Sequence, residues 1–228
     1  MAAIKVKNLK LGTTPRIVGI IDQPIPVARL QKFVDGGIDI FEIRADLFNK
    51  PIDKVVAYIN TIKKSIKSPL IGTVRETDYN RANRVDWLVS LSEHVDIIDI
   101  ELGMPEWRDV VKGIAGLSTI IMVSEHDFKK TPDMSGLKDI VKRSLKQGAK
   151  IVKIAVMAKS ASDVTRLLRF TEDCEVPVVA MAMGDAGKIS RIAAPLFGSL
   201  FVYGYLRKPV VPGQLSALAI AEARKIYY

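Results

Sequence analysis

The chain has little cysteine: one residue, Cys174, in 228. A lone cysteine excludes an intramolecular disulfide and argues against a disulfide-rich secreted fold. It reads as a small residue near a helix end. Histidine is almost as scarce, with only His94 and His126. No His/Cys cluster has the spacing of metal ligands, so neither a metal nor another cofactor is expected. His94, at a helix end, reads as structural. Aromatic residues amount to 7%, and no stripe of them suits base stacking. Long runs of one charge are also missing. The net charge of +9 admits an anionic partner: nucleic acid, a membrane surface or an acidic metabolite. It equally admits solvated lysines on helix faces, and their dispersal favours that. A nucleic-acid partner is therefore not expected. No apolar run has transmembrane length and no signal-peptide pattern is present, which points to a cytoplasmic protein with no membrane partner.

What is present is regular alternation. Short apolar runs occur at 16–21, 38–43, 70–74, 95–101, 118–124, 151–156, 176–183 and 200–205. Stretches of helical character separate them. One helix is expected to stop at Gly148, and Ser160 with Asp163 has the spacing of an N-terminal capping box. The first dozen residues are basic and read as a short strand or a mobile start. Alternation of this kind implies parallel strands joined by helical crossovers. Eight such units in this length fit a (β/α)8 TIM barrel, as a single domain over residues 1–228. An open doubly wound sheet is the runner-up, weakened because no GxGxxG follows the first run.

One residue does not belong in its run. Lys153 lies within Gly148–Met157 (GAKIVKIAVM), which reads as a strand buried on both faces. Burying an ammonium group costs several kcal/mol. Either the side chain is paired or reaches solvent, or it works as a neutral amine able to form a Schiff base. In a barrel, active sites lie at the carboxyl ends of the strands, and the chemically capable residues fall there. They are Glu42 and Arg44, Arg75, Asp99 and Glu101, His126, Arg191, and Gln214 in the loop after the eighth run. Arg44, Arg75 and Arg191 would depress the lysine pKa by repulsion and hold an anionic substrate, since arginine suits carboxylates. His126 suits proton transfer near neutrality. An imine acidifies the neighbouring carbon, so lysine and histidine together allow elimination without a metal.

At these residues the chain resembles type I 3-dehydroquinate dehydratase, a class I aldolase-like barrel of the shikimate pathway. The matching segments are FEIRAD at Glu42 and Arg44, the arginine at 75, SEHDFKKTP at His126, KIAVM at Lys153, MGDAGKISR at Arg191 and PGQ at Gln214. The resemblance implies that Lys153 forms an imine with the ketone of 3-dehydroquinate and that His126 moves the protons. It implies that Glu42, Arg44, Arg75, Arg191 and Gln214 bind substrate, that 3-dehydroshikimate and water are the products, and that the enzyme is a homodimer. Two departures stand out. Where the family often has a glutamate after the strand-three arginine, followed by paired glycines, this chain has Glu76-Thr-Asp-Tyr79-Asn80. Glu76, Asp78, Glu101 or Glu125 would then have to orient His126, with Glu101 expected. The lid serine of the family is Val210 here. An alternative is another imine-forming barrel acting on a sugar phosphate, with Gly184, Gly187 and the following helix start cradling the phosphate.

Overall fold

The computed structural model describes residues 4–228. It opens with an antiparallel hairpin, β1 (Ile4–Val6) and β2 (Leu9–Leu11). The barrel units follow as β3 (Arg16–Ile21), α1 (Val27–Asp35), β4 (Ile40–Arg44), α2 (Ile52–Ser65), β5 (Leu70–Thr73) and α3 (Arg84–Ser92). Next come β6 (Ile97–Glu101), α4 (Trp107–Gly113), β7 (Ile120–Asp127), α5 (Met134–Lys146), β8 (Ile151–Met157) and α6 (Ala161–Asp173). The chain ends with β9 (Val178–Met183), α7 (Ser190–Ala193), β10 (Phe201–Tyr205) and α8 (Ala217–Tyr227). Strands β3 to β10 form one parallel sheet in the order β10-β3-β4-β5-β6-β7-β8-β9.

The two outer strands of that order meet at a seam. Leu200 N donates to Val178 O at 2.9 Å. The Ser199 hydroxyl accepts from Ala180 N and donates to Phe201 O, both at 3.1 Å. These bonds occupy edge groups that would otherwise stay open, and the sheet becomes a nearly closed barrel. The expected α/β barrel is therefore what forms.

Alternation along the strands separates two cores. Residues such as Phe41, Ile43 and Ile98 pack outward against the helices. Their neighbours Ile40, Ile71, Ile97, Met122, Ile151 and Phe201 form a separate apolar interior. The hairpin closes the lower end of this interior, where Val6 and Leu11 are buried among those residues. Its strands are only three residues long and half exposed, which is why the sequence there reads as a basic start. Ser160 caps α6 in the expected box with Asp163. No helix among the described residues is long and apolar enough to cross a membrane.

Candidate active site

Above the apolar layer the inward positions turn polar. Each strand contributes one residue per two along its length, giving Ile40-Glu42-Arg44, Ile97-Asp99-Glu101, Met122-Ser124-His126 and Ile151-Lys153-Ala155. Of these, Glu42, Arg44, His126, Lys153 and Ala155 line a small cavity at the carboxyl ends of the strands, together with Met181, Met183, Tyr203 and the loop residues Val210, Val211 and Gln214. Every residue the sequence assigned to a site lines it: Glu42, Arg44, Arg75, His126, Lys153, Arg191 and Gln214.

Lys153 is 5% exposed and takes the paired alternative in the free protein. Its Nζ lies 3.0 Å from Asp99 Oδ2 and 3.4 Å from Glu42 Oε1, and 4.2 Å from the centroid of the Tyr203 ring. The three arginines expected around the lysine are not its nearest partners: two carboxylates, Asp99 and Glu42, contact the amine. Asp99, which the sequence reading left without a role, is the hub. Besides Lys153 it accepts from Arg75 Nη2 at 3.0 Å and from the Ser124 hydroxyl at 2.5 Å. Burial alone would raise its pKa; Arg75 and Lys153 outweigh that and hold it well below the usual carboxylate range. The signal available in sequence was the alternation Asp99-Ile-Glu101, which puts both acids on the inner face.

Glu42 accepts from the Thr73 hydroxyl at 2.9 Å and does not pair with Arg44. Arg44 turns instead to Asp46 in a two-pronged contact of 3.0 and 2.6 Å. Burial lowers the Arg44 pKa, but Asp46 more than offsets this and raises it. Arg191 differs from both other arginines. It is 1% exposed and has no carboxylate within 4.0 Å among the described residues. Its Nε donates to Gly213 O at 3.2 Å and its Nη1 to Tyr203 O at 3.3 Å, while Nη2 has no partner among them. Burial without a counter-ion pulls its pKa down to about 10.

His126 is not in a loop after its strand. β7 continues to Asp127, and His126 is in register with Ala155 of β8. Burial first, then Arg75 and Lys153, hold the imidazole pKa well below 6.5. The carboxylate expected to orient it is absent: among the described residues no carboxylate oxygen lies within 4.0 Å of its nitrogens. Glu101 is bound by Arg84, whose Nε also donates to Val74 O at 3.0 Å. Glu76 and Asp78 face outward onto Arg81. Glu125 alternates to the outer face of β7, beside its inward neighbours Ser124 and His126. Tyr79 is 59% exposed and packs edge-on against Trp87. His126 is instead held by the strand ladder and by stacking on Phe128 at 6.2 Å.

The loop over the mouth is fastened by Arg191, through Gly213 O, and by Gly184. Gly184 N donates to Pro212 O at 3.1 Å, and Gly213, at φ +72°, passes so close that a Cβ would lie 2.2 Å from Gly184 O. Only glycine fits there. Gln214 Oε1 accepts from Val210 N at 2.8 Å.

The same contacts disfavour a phosphate cradle. Besides Gly184, the amides of Gly187, Lys188, Ser190 and Arg191 each donate within the segment. Helix α7 is four residues long, too short for a useful dipole. Among the described residues no group of three or more His, Cys, Asp or Glu is placed to hold a metal.

A model of the type I 3-dehydroquinase family matches residues 26–228. The chain belongs to that family. A 3-dehydroquinate dehydratase of Methanocella arvoryzae is 37% identical over 196 residues, covering 83% of this chain and 88% of the relative. One from Methanococcoides burtonii is 34% identical over 232 residues, with 98% and 99% covered. Among solved structures, the 3-dehydroquinate dehydratase of Geobacillus kaustophilus superposes with a TM-score of 0.86 at 28% identity, covering 99% of this chain and 96% of that one. The type I enzyme of Clostridium difficile, solved with covalent modified comenic acid, gives 0.85 at 27% identity, with 99% and 97% covered.

Proposed function

We propose that Lys153 and His126 carry out the dehydration of 3-dehydroquinate, the reaction of this type I hydro-lyase, through an imine. The amine of Lys153 adds to the ketone and water leaves, forming a C=N bond. The imine draws electrons from the adjacent carbon, and the neutral imidazole of His126 takes a proton from it. The new C=C bond expels the β-hydroxyl, which leaves as water on receiving that proton. Hydrolysis of the imine then releases 3-dehydroshikimate and frees Lys153.

The observation that carries this reading is the pairing, in one cavity, of a buried lysine with a buried arginine that has no counter-ion among the described residues. Arg191 suits the substrate carboxylate, since an anion there satisfies Nη2 and removes the cost of its isolation. Glu42, Arg44, Arg75 and Gln214 line the same cavity and suit the ring hydroxyls. The low pKa of His126 suits a base, because the imidazole is neutral at the working pH. The covalently modified ligand reported for the C. difficile relative supports covalent chemistry in this fold. The reading extends to a cytoplasmic homodimer with no nucleic-acid or membrane partner; sedimentation of the purified chain checks the dimer. Incubation with 3-dehydroquinate should produce the enone absorbance of 3-dehydroshikimate. No such absorbance from folded protein would contradict the function.

A further inference from the structure

Among the described residues, five buried side-chain polar atoms lack a hydrogen-bond partner, and three of them belong to residues lining one cavity: Arg75 Nη1, Arg191 Nη2 and the Tyr203 hydroxyl. The two arginines are already assigned to substrate. Tyr203 is not. It is 3% exposed, on β10, and its ring faces Lys153 Nζ at 4.2 Å. An unpaired buried hydroxyl costs about 1–3 kcal/mol, and phenylalanine would fill the same space without that cost. The other hydroxyl of the lining, Thr73, already donates to Glu42. Val210 and Val211, from the loop above, offer none.

We infer that the Tyr203 hydroxyl is a substrate-binding donor, hydrogen-bonding a ring hydroxyl of the polyhydroxy carboxylate that Lys153 holds. This rests on the proposed function and adds a specificity residue to it. Burial, then Glu42 and Asp99, push the phenol well above its ordinary value of 10. It therefore remains protonated through the neutral range and donates; it does not act as a base. The ring of Tyr203 lies against Nζ and so borders any group attached there.

The test compares the wild-type protein with Tyr203→Phe, which keeps the ring face toward Lys153 and removes only the oxygen. With 3-dehydroquinate, kcat/KM should fall by about tenfold or more, the size of one lost substrate hydrogen bond. The pH profile should keep its shape. The melting temperature of the ligand-free variant should equal or exceed that of wild type, because an unsatisfied group has gone. A kcat/KM within about twofold of wild type, or a lower ligand-free melting temperature, would overturn the inference and leave the proposed function standing. A folded wild-type protein with no turnover would overturn both.

Discussion

Lys153 and Asp99 form an ion pair of 3.0 Å in the polar layer of the barrel, with the Asp99 side chain wholly buried. Removing one partner of such a pair strands the other, at about 3–5 kcal/mol. Asp99→Asn should therefore destabilise the protein by up to that amount in denaturant unfolding. The acid side adds a sign. Asp99 titrates lower in the fold than its ordinary 3.8, so its contribution is present above that pH and is lost as pH falls toward its folded pKa. The stability difference between wild type and the Asp99→Asn variant should thus shrink in strong acid. A constant difference would mean that Asp99 is not held as an anion by Lys153 and Arg75.

Arg191 should show the opposite trade. Lowering its pKa from 12.5 to about 10 corresponds to roughly 3 kcal/mol against the charged form. That penalty operates below about pH 10 and eases as pH rises through it. Arg191→Met should raise the ligand-free melting temperature while weakening substrate binding severely. Arg191→Lys keeps the charge but loses the fork, and should raise KM by about 1–3 kcal/mol equivalent. Unchanged affinity in both variants would put the carboxylate elsewhere.

Because burial and two cations hold the His126 pKa below 6.5, its neutral form persists into mild acid. The acid limb of kcat/KM should therefore lie below pH 6.5. A limb at or above that value would contradict a buried, neutral base.

The loop carrying Gln214 depends on the approach of Gly213 to Gly184. Gly213→Ala puts a methyl group against a carbonyl at positive φ and should lift the loop. Proteolysis within 206–216 should quicken, and saturating product should protect wild type more than the variant. Equal cleavage rates in all four samples would show that this contact does not hold the lid.

Most of the barrel was legible because its strands are apolar runs. Arg16–Ile21 has the same bounds in sequence and structure, and the others differ by a few residues. The misses have physical causes. β7 reads as ending at Ser124 because Glu125, His126 and Asp127 look like loop residues, yet pairing with β8 keeps them in the sheet. Alternation within that extended strand decides which of the three faces the cavity. Glu101 seemed placed to orient His126, but the buried Arg84 binds it, and Arg84 sits on a helix whose approach no local pattern reveals. Asp99 gains no role from the sequence, and Tyr203 no mention, for a related reason: their importance lies in which side chains share the polar layer of the barrel, a property of closure.

The imine on Lys153 is tested most directly by trapping. Incubation with 3-dehydroquinate and borohydride should reduce the C=N bond to a stable secondary amine, inactivate the protein and add the ligand's mass to the peptide containing Lys153. His126→Ala should still be labelled while turnover falls by about 10²–10⁴-fold, and Lys153→Ala should lose both. Labelling of Lys150 or Lys159 instead, or of no residue under turnover conditions, would contradict the mechanism.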